Sequence, residues 1–142
     1  MKAAVTVART LLALIFIAAG VSGFLLIQNP PPAPPGLAGA FQDVYFRSHW
    51  VVFVDGVELI AGILLLANRF VPLALVVLAA VITNMFIFHI TMMPLGLPAP
   101  LVLTVLWVIV AWPLRSYLVP LLVQRPSYQF GDIAILETGR TT

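Results

Sequence analysis

Apolar residues run along this chain in four long stretches, which are separated by short breaks that contain the polar residues, proline and glycine. The stretches cover residues 7–27, 48–67, 71–92 and 98–117. A helix of roughly 20 apolar residues crosses the hydrocarbon core of a membrane, and a backbone in lipid must satisfy its hydrogen bonds within the segment. The pattern therefore predicts an all-α membrane protein, with a four-transmembrane-helix antiparallel bundle over residues 1–123.

The breaks between the stretches differ in composition. Residues 28–42 are rich in proline, which predicts a stiff polyproline segment in a surface loop. The breaks Asn68–Phe70 and Pro94–Pro98 are short enough to make the helices that they join antiparallel neighbours. Hydropathy falls after residue 123. We therefore expect residues 124–142 to form a tail, with one short ordered piece at 130–136.

Lysine and arginine indicate the orientation, because short cytoplasmic loops retain them. Of the seven Lys and Arg residues, only Arg47 lies outside if the N-terminus is cytoplasmic. The inner cations are then Lys2, Arg9, Arg69, Arg115, Arg125 and Arg140. The sequence thus predicts an N-in/C-in topology with an outward-facing proline-rich loop and a cytoplasmic tail. Arg9, Arg69, Trp112 and Arg115 are predicted to anchor helix ends at the inner interface, and Tyr45, Phe46 and Trp50 to mark the outer one.

The first apolar stretch also has features of a secretory signal peptide. Lys2 and Arg9 precede an apolar run with small residues around Gly20, as signal peptides do. The run continues to Ile27 and is longer than a typical signal core, so we favour a spanning helix. Cleavage would leave three helices in the same orientation.

Composition supports the membrane assignment and excludes several function classes. Hydrophobic residues make up 62% of the chain and charged residues 8%, whereas a soluble domain needs a charged surface. The predicted surroundings are therefore a lipid bilayer. The net charge of +2 comes from few groups, and no basic patch predicts a nucleic-acid partner. The chain has no cysteine, which excludes disulfides and thiolate metal sites, and no other metal-ligand cluster is evident.

Polar residues within the apolar stretches identify a candidate site. Asp55 and Glu58 are three residues apart and share a helix face, and charges at membrane depth usually face the protein interior. Helical rise places them near the depth of Asn84 on the next helix. The sequence predicts an outward-opening polar cavity lined by Arg47, His49, Asp55, Glu58, Asn84 and His89. The alternative is structural: the carboxyls bond to Asn84 or Thr83, and the other three side chains lie at helix ends.

Small residues predict how the helices pack, because close backbone approach drives helix association in lipid. One stripe of the first helix consists of Ala13, Phe16, Gly20, Gly23 and Ile27. The second helix contains Gly56 and Gly62.

Three segments resemble the DoxX family of small bacterial four-helix membrane proteins. They are Glu58-Leu-Ile-Ala-Gly62, Ile82-Thr-Asn84-Met-Phe-Ile-Phe-His89 and Trp112-Pro-Leu-Arg115, and the likeness extends over about residues 5–123. The resemblance implies a multi-pass protein of the bacterial inner membrane, whose polar family positions are Arg9, Glu58, Arg69, Asn84 and His89. The family is named after a subunit associated with thiosulfate and quinone redox chemistry, and some members are linked to oxidative-stress complexes.

Three functions remain open. The favoured one is a non-catalytic subunit or small-molecule-binding component of a membrane redox or oxidative-stress system, with a redox protein or a second copy as partner. The second is a quinone-linked oxidoreductase in which Glu58 and His89 transfer protons. The third is a small-solute or proton pathway through Asp55 and Glu58. A quinone is the cofactor that we consider, whereas a haem between His49 and His89 is disfavoured because no glycine-lined pocket is evident.

Overall fold

The structure, a computed structural model, describes residues 2–122 and is helical over most of them. The helices are α1 (Lys2–Leu26), α2 (Leu37–Arg47), α3 (Trp50–Leu66), α4 (Val71–Thr91), α5 (Pro98–Ala111) and α6 (Arg115–Leu118). Single turns of 3₁₀ helix lie at Pro94–Gly96, Trp112–Leu114 and Val119–Leu122. The predicted tail at residues 124–142, with its ordered piece at 130–136, lies outside the described residues.

Three helical segments are long and apolar enough to cross a membrane, namely Lys2–Leu26, Val71–Thr91 and Pro94–Leu122. α3 has 17 residues, which is the short end of the roughly 17–25 residues that span a bilayer. It is bent by 85° from α2, and the pair makes a fourth candidate span. The prediction of an all-α membrane bundle is confirmed. The N-in/C-in orientation stays a prediction.

α2 begins inside the segment that the sequence assigned to the proline-rich loop 28–42. Gly36 has a φ of 79°, a left-handed conformation that glycine adopts without strain, and it ends the proline run. The following 11 residues contain no proline and form the helix. The loop is therefore shorter than predicted. Proline restricts only the residues before Gly36, and the residues that follow are free to form a helix.

The faces of α2 are typical of a helix that lies in the membrane interface. Leu37 and Val44 are exposed apolar residues on one side. Asp43 and Arg47 form an exposed ion pair of 2.7 Å on another, and Ala38 is buried.

The other helix boundaries also differ from the predicted ones. α3 begins at Trp50 rather than at residue 48, because His49 has a φ of 58° and forms a sharp turn after α2. Tyr45 and Phe46 consequently belong to α2. The last predicted helix, 98–117, is interrupted after Ala111, where Pro113 cannot continue the regular α-helical hydrogen bonding.

The contact between α1 and α3 is the most extensive contact between helices within residues 2–122. A Cβ atom at Gly20 would lie 2.6 Å from the carbonyl oxygen of Asp55, and one at Gly62 would lie 3.0 Å from that of Ala13. Only glycine allows such an approach between two backbones, and the dispersion contacts that result hold helices together in lipid. Ala13, Phe16, Gly20 and Gly23 are all buried, as the predicted stripe requires.

Two long polar side chains join helices through backbone carbonyl groups. Arg9 of α1 donates to the carbonyl oxygens of Leu65 and Leu66 at the end of α3, beyond the regular hydrogen bonding of the helix. The Leu65 carbonyl oxygen also accepts from the backbone N–H of Asn68 at 3.1 Å. Trp107 of α5 donates its indole N–H to the carbonyl oxygen of Leu75 on α4 at 2.7 Å. These bonds fix α1 against α3 and α4 against α5.

We expect Gly20→Ala to lower the free energy of unfolding by about 1–3 kcal/mol, because the added methyl group meets backbone atoms that cannot move aside. Gly56→Ala is the matched control, since its Cβ atom would only reach an ordinary contact at 3.9 Å from Phe24. Equilibrium unfolding in detergent micelles measures both variants. Equal stability of the two would contradict the close packing of α1 on α3.

Candidate functional site

A groove of about 850 Å³ lies between α2, the first half of α3 and the second half of α4. Its aromatic lining consists of Phe41, Tyr45, Trp50, Phe53 and Phe88. Three other lining residues are polar: Glu58, Asn84 and His89. Phe53 and Trp50 are more than half exposed. The groove therefore opens on the lateral surface of the bundle, which faces lipid in a membrane.

Glu58 is the charged residue of the groove. The residue is 8% exposed, yet its carboxyl group forms no hydrogen bond or ion pair with another residue of the described part of the chain. No buried side-chain oxygen or nitrogen atom within residues 2–122 lacks a hydrogen-bond partner. The carboxyl oxygens of Glu58 must therefore be open to the groove, where they can accept hydrogen bonds from a ligand.

His89 lies near the end of α4 and is held in one orientation. Its Nδ1 atom lies 2.8 Å from the carbonyl oxygen of Met85. A carbonyl oxygen only accepts, so Nδ1 donates, and in the neutral ring Nε2 is left as an acceptor. The turn Pro94–Gly96 packs against the ring, and a Cβ atom at Gly96 would lie 2.3 Å from Nε2. The absence of a side chain at Gly96 thus leaves the space that the imidazole ring of His89 occupies.

Asn84 also lines the groove, but it does not bind the carboxyl groups as the structural alternative predicts. Its side chain is exposed and forms no hydrogen bond with another residue between positions 2 and 122. Thr83 donates to the carbonyl oxygen of Ala79 at 2.8 Å within its own helix. Neither side chain is therefore hydrogen-bonded to Asp55 or Glu58.

Asp55 contacts α1 and α2, and it is absent from the lining of the groove. One carboxyl oxygen accepts a hydrogen bond from the hydroxyl group of Tyr45 at 3.0 Å. A Cβ atom at Gly23 would lie 1.2 Å from the other oxygen, so the missing side chain of Gly23 provides the space for this carboxyl group. Asp55 and Glu58 share a helix and are both buried, but Asp55 joins helices whereas Glu58 faces the groove.

Arg47 and His49 lie outside the groove. Arg47 is exposed and pairs with Asp43 on the surface of α2. His49 forms the turn between α2 and α3 with its side chain exposed. The structure thus brings together Glu58, Asn84 and His89 of the predicted cavity, and the pairing of His49 with His89 that a haem needs is not formed in the groove.

The predicted helix-end anchors lie at the other end of the bundle. Arg9 is half-buried between α1 and α3, and Arg69 is exposed in the turn between α3 and α4. Trp112 is 67% exposed. Arg115 donates to the carbonyl oxygen of Trp112 at 3.2 Å and lies 5.6 Å from the centre of its ring, which is within the range of a cation–π contact.

Tyr45 and Gly96 are the site residues that the sequence interpretation missed. Tyr45 was assigned to the outer interface, and its bond to Asp55 requires the 85° bend between α2 and α3. The recurrence of apolar residues at Leu37, Phe41 and Val44 would have predicted α2 and placed Phe41 near the bundle. Nothing in the sequence indicates that Gly96 contacts the ring of His89.

The comparisons with known proteins concern the same part of the chain. The family model described as DoxX matches residues 4–92, which include α1 to α4 and therefore all residues that line the groove. No curated protein matches the chain. No solved structure matches it.

We expect Tyr45→Phe to release α2 from the bundle, because the Asp55 bond is the hydrogen bond that joins a side chain of α2 to α3. The chain lacks cysteine, so Ala38→Cys, at a position only 2% exposed, reports the release by its rate of maleimide labelling. The loss of about 1 kcal/mol from one hydrogen bond corresponds to roughly fivefold faster labelling.

The matched control for this experiment is Tyr117→Phe, which removes an exposed hydroxyl group. It should leave the labelling rate of Ala38→Cys unchanged. Equal rates in the Tyr45→Phe and Tyr45 backgrounds would show that Asp55 does not hold α2.

Proposed function

The chain belongs to the DoxX family, and from this premise we propose that it binds a lipid-phase small molecule in the groove. In this role it is a non-catalytic subunit or binding component of a redox or oxidative-stress system in the bacterial inner membrane. The observation that carries the proposal is Glu58, a residue only 8% exposed among apolar groove residues, whose carboxyl group bonds to no residue between positions 2 and 122 and opens into the groove.

The size and lining of the groove support a small-molecule site. Its volume of about 850 Å³ is within the roughly 300–1,000 Å³ of ligand pockets, which are mostly apolar with a few polar groups that fix orientation. Aromatic rings such as Phe41 and Phe88, whose centres are 5.2 Å apart, favour a flat aromatic ligand. The open side of the groove gives access from lipid rather than from water.

The polar groups favour a ligand of the quinone and quinol class. Glu58 and Nε2 of His89 supply acceptors, which match the hydroxyl groups of a quinol, and the amide of Asn84 supplies both a donor and an acceptor. The apolar walls suit an isoprenoid tail. The reduced form should therefore bind more tightly than the oxidised form, whose carbonyl groups only accept hydrogen bonds.

Electrons for any redox change would come from a partner protein. The chain contains no cysteine, so thiol chemistry would also belong to a partner. A redox protein that contacts the chain, or a second copy of it, remains part of the proposal.

A quinone-linked oxidoreductase is the second candidate, favoured by the presence of two proton-binding groups at the same groove. Glu58 and His89 both line it, and both residue types act as general acids and bases. In this function a partner would reduce the quinone while these side chains supply protons. Quinol formation that depends on Glu58 beyond its effect on binding would distinguish the second candidate from the first.

We expect a short-chain ubiquinol analogue to quench the fluorescence of Trp50, which lines the groove. Glu58→Gln should weaken its binding by about tenfold or more, because a hydrogen bond to a charged group contributes roughly 1.5–3 kcal/mol. His89→Gln should weaken it by about fivefold, because a hydrogen bond between neutral groups contributes about 1 kcal/mol. The titration is done on purified protein in detergent, and Trp50→Phe should abolish the quenching.

Arg47→Gln and His49→Asn are the matched controls, since both residues belong to the cavity predicted from the sequence but lie outside the groove. Asparagine tolerates the left-handed backbone at position 49. Both variants should bind within about twofold of the unaltered protein. The proposal is wrong if no analogue binds, or if the controls weaken binding as much as Glu58→Gln does.

A further inference from the structure

A second polar cavity lies at the end of the bundle opposite to the groove, and it is unrelated to the proposed quinol site. Its volume is about 290 Å³. The lining residues include Thr6, Arg9, Asn68, Val71, Val110 and Pro113. The first residues of α1, the turn between α3 and α4, and the end of α5 thus enclose a space that holds a guanidinium, a hydroxyl and an amide group.

Arg9 brings a full positive charge into this cavity. The NH1 atom of its guanidinium group donates to the carbonyl oxygens of Leu65 and Leu66. These carbonyl groups are neutral and do not cancel the charge, and the remaining N–H donors of the guanidinium group bond to no residue between positions 2 and 122. Arginine in a membrane helix is costly unless it is paired, and its planar donors match the oxygen atoms of a phosphate group.

The charges of the described residues are separated between the two ends of the bundle. Lys2, Arg9, Arg69 and Arg115 lie at the end that contains this cavity. The carboxylates within residues 2–122 are Asp43, Asp55 and Glu58, on α2 and the first half of α3. The described part of the chain therefore supplies Arg9 with no counter-charge nearby, and the field at this end attracts anions.

A cavity of about 420 Å³ lies at the same end of the bundle and is lined by Arg115 and Ser116. Pro113 lines both cavities, so the two lie close to each other, and each contains an arginine and a hydroxyl group. This arrangement has room for a phosphate group and for the polar group attached to it.

We propose that the cavity of Thr6, Arg9 and Asn68 binds a phosphate group, which is carried by an anionic lipid headgroup or by a soluble phosphate. Arg9 and the amide group of Asn68 donate to the phosphate oxygens, and Arg115 contacts the outer part of the headgroup. The Thr6 hydroxyl group, which donates to the carbonyl oxygen of Lys2 at 3.1 Å, forms part of the polar lining. An anionic lipid at this position also neutralises the charge of Arg9 and stabilises the contact of α1 with α3.

The test compares phosphatidylglycerol with phosphatidylcholine of identical acyl chains, mixed in equal amounts with the full-length protein and detected by native mass spectrometry. The unaltered protein should retain phosphatidylglycerol about tenfold more often. Arg9→Gln should remove this preference, because the two lipids share the phosphate group and differ in net charge, which the Arg9 guanidinium senses. Arg69→Gln, the matched control, deletes an equal charge outside the cavity and should keep the preference within about twofold. Thr6→Ala combined with Asn68→Gly keeps the Arg9 bonds and the left-handed backbone of position 68, where φ is 55°, and should lower the amount of phosphatidylglycerol retained.

A second measurement identifies the source of the phosphate. In phosphatidylcholine nanodiscs, inorganic phosphate raises the melting temperature of the unaltered protein and not of the double variant if the site takes a soluble anion. The lipid is the source if only the preference for phosphatidylglycerol is found. The proposal is overturned if neither effect occurs, if the stably folded double variant retains phosphatidylglycerol and responds to phosphate as the unaltered protein does, or if Arg69→Gln abolishes the preference as fully as Arg9→Gln does.

Discussion

The structure depends on the space that Gly23 of α1 leaves for the carboxyl group of Asp55. A Cβ atom at Gly23 would occupy the position of one Asp55 oxygen, and the other oxygen accepts the hydrogen bond of Tyr45. In lipid, neither a close helix contact nor the burial of a carboxyl group is stable alone, because there is no hydrophobic drive and a buried charge needs partners. Here the close helix contact at Gly23 encloses the carboxyl group of Asp55, and this carboxyl group fills the space beside Gly23 and bonds to Tyr45. One aspartate thus joins α1, α2 and α3.

The groove follows from this junction. Tyr45 brings α2 onto the bundle across the 85° bend, and α2 then supplies Phe41 and Tyr45 as one wall. Glu58 lies one helical turn further along α3 and lines the groove between α3 and α4, into which its carboxyl group opens. Two carboxyl groups of one helix thus have different surroundings: that of Asp55 joins helices, whereas that of Glu58 lies at the groove. The chain belongs to the DoxX family, and we propose that its groove binds a small molecule.

The sequence predicts most of the fold, because hydrophobic periodicity and the absence of charge are local properties. It also predicts the stripe of Gly20 and Gly23, since small residues at helical spacing indicate where backbones approach. Of the residues in the predicted cavity, Glu58, Asn84 and His89 line the groove. Asp55, Arg47 and His49 do not, because the prediction counts depth along straight helices, and the role of the groove stays a proposal. The turn at His49 and the bend of α2 change those positions, and the bond between Tyr45 and Asp55 depends on them. Such contacts are set by tertiary structure and leave no local pattern.

The most direct measurement of the central claim is a double-mutant cycle between Gly23→Ala and Asp55→Ala, with the free energy of unfolding in detergent as the readout. The account predicts that Gly23→Ala is strongly destabilising next to Asp55 and much less so next to alanine, with a coupling of about 1–3 kcal/mol. Additive effects, with Gly23→Ala equally costly in both backgrounds, would show that the Asp55 carboxyl group does not occupy the space beside Gly23.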